Sequence, residues 1–181
     1  MRKRHSLPKL WLMTDERLGD GLLPAIRALP KGSGIIFRHY GLEPTARRAL
    51  FEAVRTIARR NRHLLLLSGN HHGWGEAGRH GRREARKSGI HTAPAHSIRE
   101  RVAAERAGAD LLFVSPVFAT LSHPGASGLG RIRFGLMIRS AKRPVIALGG
   151  MDAKRARSLK TLGIYGWAAI SSLARSNSPT S

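Results

Sequence analysis

Two pairs of small residues, Gly149-Gly150 and Ser171-Ser172, each follow a short apolar run late in the 181-residue chain. Consecutive glycines let backbone amides approach an anion closely, and serine hydroxyls add donors beside them, so the pairing points to phosphate binding. Taken alone, Gly149-Gly150 also reads as a tight strand-to-helix turn. The loops after the earlier apolar runs are equally polar: Arg38-His39-Tyr40, Ser68-Gly69-Asn70, Pro94-Ala95-His96-Ser97 and residues 115–124, which contain Ser115, Thr120, Ser122 and His123. His71 and His72, with His80, His91 and His96 nearby in sequence, raise zinc as a weaker reading, because adjacent histidines rarely ligate one ion together. Asp15-Glu16 reads either as an acid pair or as Asp15 opening a helix.

Lys and Arg number 32 against 11 acids, a formal charge of +21, so anions are attracted to most of the surface. The basic residues are spread along the chain, crowding at residues 2–4, 59–62 and 79–87, with no aromatic platform among them for base stacking. Nucleic acid is therefore expected to bind only non-specifically. The absence of cysteine removes disulfides, thiolate-bound zinc, iron–sulfur clusters and thiol nucleophiles. No apolar run is long enough for a transmembrane helix, and the basic residues 1–6 precede no signal-peptide core, so a cytoplasmic location is expected.

The polar loops need a frame that puts them on one side, and the apolar pattern supplies it. Eight strands are predicted at residues 9–13, 34–38, 63–67, 77–80, 89–93, 110–114, 144–148 and 165–170. Several are apolar at nearly every position, as strands buried on both faces are. Residues 43–60 place Ala46, Ala49, Leu50, Ala53, Val54 and Ile57 at helical spacing, with arginines expected on the other side. Ser97 with Glu100 forms a capping box for a helix over residues 98–107 closed by Gly108, and Asp152 caps another over residues 153–162 closed by Gly163. The alternation predicts a compact α/β chain, a (β/α)₈ TIM barrel, with an open doubly wound sheet as the lesser alternative. The chain is short against the roughly 250 residues typical of that barrel. The economy is expected between the third and fifth strands and in the lack of a full eighth helix. Residues 1–8 read as a basic N-terminal extension, 9–173 as a single barrel domain and 174–181 as a flexible tail.

The order Leu12-Met13-Thr14-Asp15, Phe37-Arg38, Ala95-His96-Ser97, Ala107-Gly108-Ala109-Asp110, Ser115-Pro116-Val117-Phe118-Ala119-Thr120, Ala147-Leu148-Gly149-Gly150-Met151 and Ile170-Ser171 resembles the thiamine phosphate synthase family and the related thiazole tautomerases. The resemblance spans nearly the whole chain. It implies a (β/α)₈ barrel that condenses hydroxymethylpyrimidine diphosphate with thiazole phosphate, using Mg²⁺ and releasing pyrophosphate, so the implied partners are phosphorylated pyrimidine and thiazole small molecules. By the same resemblance Arg38 binds the diphosphate, Thr120 and Ser122 surround the phosphates, and Gly150, Ile170 and Ser171 form the thiazole-phosphate pocket. The departures are specific. Tyr40 and His123 stand where the family has lysines. Ser68-Gly69 replaces an Asn-Asp pair, with Asn70 as a substitute one place on, and Arg82, Arg83 and Glu84 occupy the region of a metal-binding Asp. The Mg²⁺ ligands are therefore unassigned, and arginines (Arg38, Arg79, Arg82, Arg83) are the candidates to neutralise a diphosphate. His96 and His123 are candidate acid/base groups, since imidazole titrates near neutrality. The alternatives are isomerisation of a thiazole phosphate, non-catalytic binding of a phosphorylated ligand and, less favoured, nucleic-acid binding.

Overall fold

In a computed structural model, residues 6–69, 73–81, 89–119, 127–170 and 172–175 are described. Asn70, Thr120, Ser122, His123 and Ser171 lie outside them, as do Arg82, Arg83 and Glu84. Eight parallel strands follow the predicted segments closely: β1 (Leu10–Met13), β2 (Gly34–Phe37), β3 (Leu64–Ser68), β4 (Gly78–His80), β5 (Ile90–Ala95), β6 (Leu111–Val114), β7 (Val145–Ala147) and β8 (Gly166–Ala169). Each pairs with the next in sequence, and β8 returns to β1 with Trp167 beside Leu10, closing the barrel. The open-sheet alternative is thereby excluded.

The helices are α1 (Leu22–Ala28), α2 (Pro44–Arg60), α3 (Ile98–Arg106), α4 (Gly130–Ile138), α5 (Ala153–Leu159) and the four-residue α6 (Ser172–Arg175). Among the described residues no helix links β3 to β4, and the helix after β8 is described over four residues. Short 3-10 turns precede α1 and follow α5. The caps form as expected. Ser97 Oγ accepts from the Glu100 amide at 3.2 Å, and Asp152 accepts from the Arg155 amide at 2.8 Å. The Glu100 carboxylate reaches back to the His96 amide at 2.7 Å. None of the described helices is long and apolar enough to cross a membrane.

α1 and α4 lie outside the sequence expectation. α1 carries Pro24 in its first turn, where a missing amide is tolerated, and buries Leu22, Ala25 and Ile26. α4 starts at a glycine and contains another, but burial of Phe134, Met137 and Ile138 outweighs its poor propensity. α2 also differs from expectation. Its inward stripe is Arg47, Phe51, Val54, Ile57 and Ala58, while Ala46 and Ala49 are exposed, so one arginine faces in rather than out.

Alternate strand positions divide the core. Outward residues such as Leu12, Ile35, Phe37 and Leu67 pack on α1 and α2, and Leu112, Val114, Val145 and Ala147 pack with residues of α4 and α5. The barrel interior is filled by Trp11, Met13, Ile36, Leu66, Leu111, Phe113, Ile146 and Ala168. Trp11 is fully buried, packs edge-on to Phe113 at 5.4 Å and donates its indole N–H to the Pro8 carbonyl at 2.7 Å. Its ring occupies the place of a missing side chain on β2: a Cβ at Gly34 would lie 2.1 Å from Trp11 Cε3. Gly34→Ala is therefore expected to destabilise the protein by about 1–3 kcal/mol through overpacking, read from urea unfolding. Unchanged stability would show that the indole has room to move aside.

Candidate functional site

The residues after the strand ends gather on one rim of the barrel, the C-terminal face on which this architecture builds its sites. At β1 and β2 they form a bonded unit. The Arg38 amide donates to Thr14 Oγ1 at 3.0 Å, and the same hydroxyl meets His39 Nδ1 at 3.0 Å. The Arg38 side chain donates from Nε to the Thr14 carbonyl at 2.7 Å and from Nη2 to Asp15 at 2.8 Å. Nη1 makes no hydrogen bond to a described residue, and the guanidinium is partly exposed. Asp15 settles its double reading: it opens the 3-10 turn by accepting from the Arg17 amide and also pairs with Arg38.

The rim continues through Ser68 and Tyr40, whose hydroxyl oxygens lie 2.5 Å apart, and Ser68 Oγ donates to the His80 carbonyl at 3.2 Å. Arg79 reaches the Gly69 carbonyl at 2.6 Å. His96 is exposed, and its Nδ1 donates to the Ser115 carbonyl at 2.9 Å. That bond ties the β5 loop to the β6 loop and leaves Nε2 as the basic nitrogen of the neutral ring.

At β7 the two glycines are both left-handed, with φ of 94° for Gly149 and 58° for Gly150. A Cβ on Gly149 would lie 2.7 Å from Pro116 Cα, and one on Gly150 2.5 Å from the Ala119 carbonyl, so only glycine admits the β6 loop here. The loops are zipped by the Val117 amide on the Leu148 carbonyl (2.9 Å) and the Phe118 amide on the Gly149 carbonyl (3.1 Å). The tight-turn reading of Gly149-Gly150 thus holds. Their own amides donate to no described residue. Ile170, after β8, packs partly buried on the interior cluster. Ser172 Oγ donates to the Met151 carbonyl at 2.7 Å, so its proton is committed to joining the β8 and β7 loops.

Arg38, His96, Gly149, Gly150, Ile170 and Ser172 therefore share one rim. The sequence reading gave Arg47 no place in the site, quoted Thr14 only within a motif, and named His80 only among the histidines of the zinc reading, whereas His80 lies inside the barrel. Arg47 was legible from Phe51, one turn further along α2 and fully buried, which puts residue 47 on the inward stripe.

The described carboxylates at this rim are each engaged by protein donors, and Glu84 lies outside the described residues. Asp15 is engaged by Arg17 and Arg38, Glu16 by the Gly41 amide, Glu100 by the His96 amide, and Asp152 by the Arg155 amide, while Glu76, which precedes β4 and so lies toward the other end of the barrel, is held by the Gly73 and Trp74 amides. Among the described residues no three metal-ligating side chains converge.

The profile of the family described as thiamine monophosphate synthase (TMP-TENI) matches residues 69–173, more than half of the chain. The chain is 35% identical over 81 residues to the thiamine-phosphate synthase of Pyrococcus furiosus, covering 45% of this chain and 39% of that protein. It is 36% identical over 92 residues to the thiamine-phosphate synthase of Geobacillus kaustophilus, covering 47% and 39%. The chain thus spans about two fifths of the length of these curated relatives. The solved structure of thiamine phosphate pyrophosphorylase from Pyrococcus furiosus shares the fold with a TM-score of 0.74, covering 90% of this chain and 85% of that one at 24% identity.

Two charged states are set by the surroundings. The hydrogen bond from the Arg17 side chain, aided by the Arg17 amide and the Arg38 charge, outweighs burial and holds the Asp15 carboxyl at about 2. Inside the barrel, burial, reinforced by the positive charges of Arg38 and His91, pushes His80 down to about 3, and its Nδ1 lies 2.9 Å from Thr92 Oγ1. Burial also lowers His39 and His63. A histidine whose folded value is depressed binds fewer protons than in the unfolded chain, so its stabilisation is complete above its unfolded value of 6.5 and declines as pH falls toward 3. Asp15 acts in a lower window, below 3.8. Urea stability should therefore fall from about pH 7 to about pH 4.5, and His80→Gln should flatten that slope. An unchanged slope would mean that His80 is not held neutral in the barrel.

Proposed function

The chain belongs to the thiamine monophosphate synthase family, and from that premise we propose that it is a transferase joining hydroxymethylpyrimidine diphosphate to thiazole phosphate, giving thiamine phosphate and pyrophosphate. In this reaction the thiazole nitrogen forms a C–N bond to the pyrimidine methylene as the C–O bond to the diphosphate breaks, and the electron pair leaves on pyrophosphate. What the protein must supply is positive charge at the leaving oxygens. The observation that carries the reading is Arg38: a guanidinium locked at two donors by Thr14 and Asp15, with Nη1 open at the rim.

The unbonded amides of Gly149 and Gly150 support a second anion position, suited to the thiazole phosphate, and Ile170 and Ser171 join it through the family resemblance. Thr120 and Ser122 belong to the proposal through the family resemblance. No step is routed through Mg²⁺, because the described rim carboxylates are engaged with arginines and backbone amides. A second reading, proton transfer on a thiazole phosphate, is favoured by His96, whose tethered Nδ1 leaves Nε2 as a base.

The test is incubation of the full chain with both phosphorylated substrates, with and without Mg²⁺, assayed for thiamine phosphate. Wild type is expected to form product. Arg38→Ala is expected to lower kcat/KM by about ten- to a hundredfold through loss of charge-assisted hydrogen bonds, with little change in Tm. Isomerised thiazole phosphate without condensation would favour His96 chemistry, and binding without turnover would mark a non-catalytic ligand-binding barrel.

A further inference from the structure

Arg47 is among the most buried charged residues described, 3% exposed, yet it sits on the outer helix α2 and pairs with no described carboxylate. Its guanidinium is satisfied by backbone. Nε and Nη2 donate to the Arg38 carbonyl at 3.0 and 2.8 Å, and Nη2 also donates to the Ser68 carbonyl at 2.8 Å. The rings of Phe37, Tyr40 and Trp74 flank it at 5.6, 5.8 and 5.3 Å. An apolar side chain would fill this space without desolvating a charge, so packing alone does not explain a guanidinium here. Its fork does what an apolar group cannot: it ties the carbonyl just past β2 to the last carbonyl of β3.

The peptide it grips is the one that matters to the rim. Arg38 C=O joins to His39, whose φ of 46° turns the chain off the strand. Arg38 is thus held at both of its peptide groups, by Thr14 Oγ1 on its amide and by Arg47 on its carbonyl. Its side chain is aimed from a backbone with no freedom left. We propose that Arg47 is the positioning residue of the anion site, fixing from behind the barrel the peptide that presents the Arg38 guanidinium, without itself touching the ligand. The inference rests on Arg38 being the anion contact proposed above.

The experiment is calorimetric titration of the full chain with inorganic pyrophosphate for wild type, Arg38→Ala, Arg47→Met, Arg47→Lys and the double variant Arg38→Ala/Arg47→Met, with circular dichroism and Tm on each. Arg47→Met is expected to remain folded and weaken binding by at least about tenfold, since small misplacements of a contact group are costly. Arg47→Lys, able to serve one carbonyl but not as a planar fork, is expected to restore part of the affinity. In the Arg38→Ala background Arg47→Met should cause no further loss, the result that a general structural role does not give. Folded Arg47→Met binding as wild type, or a full additional loss in the double variant, would overturn the inference while leaving Arg38 in place. If Arg47→Met does not fold, Arg47→Lys decides: affinity equal to wild type overturns the inference. Wild type that fails to bind, or Arg38→Ala that binds equally, overturns the anion reading of Arg38 and the role of Arg47 with it.

Discussion

The interior of a closed eight-stranded barrel must be filled by side chains, and here one residue does much of it. Trp11 projects from β1 into the space over Gly34 on β2, and its edge meets Phe113 from the far side of the sheet. Phe113 in turn packs edge-on to His80 at 5.0 Å. The three rings form a column through the barrel toward the rim. Small residues on other strands, Gly78, Gly166 and Ala168, accompany them, so bulk from β1 and β6 is balanced by its absence elsewhere. The rim above depends on this column, because strand ends can hold a fixed arrangement only if the strands beneath are fully packed.

The charge excess is largely an architectural resource. With 32 basic residues and 11 acids, most arginines have no carboxylate available, and several bond to backbone carbonyls, some of them while also pairing with an acid. Arg38 caps Thr14, Arg47 caps Arg38 and Ser68, Arg55 caps Trp74, Arg79 caps Gly69, and Arg101 caps Ser140 while pairing with Glu105. A guanidinium carries five donors in a rigid plane and suits this work better than an ammonium. The few acids show the complementary habit, accepting from amides at helix starts and turns. A chain built this way has ample positive potential for an anion.

Much of the fold was legible because its signals are local. Short apolar runs marked most of the strands to within a few residues, β4 with its Gly78-Arg79-His80 being the weakest signal, and Ser97, Asp152, Gly108 and Gly163 marked the limits of α3 and the α5 region, each through contacts within a turn of itself. α1 and α4 escaped because their own sequences argue weakly for helix and burial supplies the difference. At the rim, the polar loops after strands two, five, seven and eight were readable as candidate site segments from composition alone.

What the sequence determined by itself was the succession of strands and capped helices, the excess of arginine and the polar loops, all properties of residues close along the chain. The tertiary structure alone decided which polar groups work together. Asp15 and Arg38 meet across 23 positions, Thr14 and His39 across 25, and Arg47 and Ser68 across 21. Such pairings follow from barrel closure and strand register rather than from local propensity, and a one-residue slip of β2 would send Arg38 to the opposite face. The inward turn of Arg47 has the same origin: its helical spacing to Phe51 is the local sign, but its burial is set by the carbonyls and rings that the closed barrel brings around it.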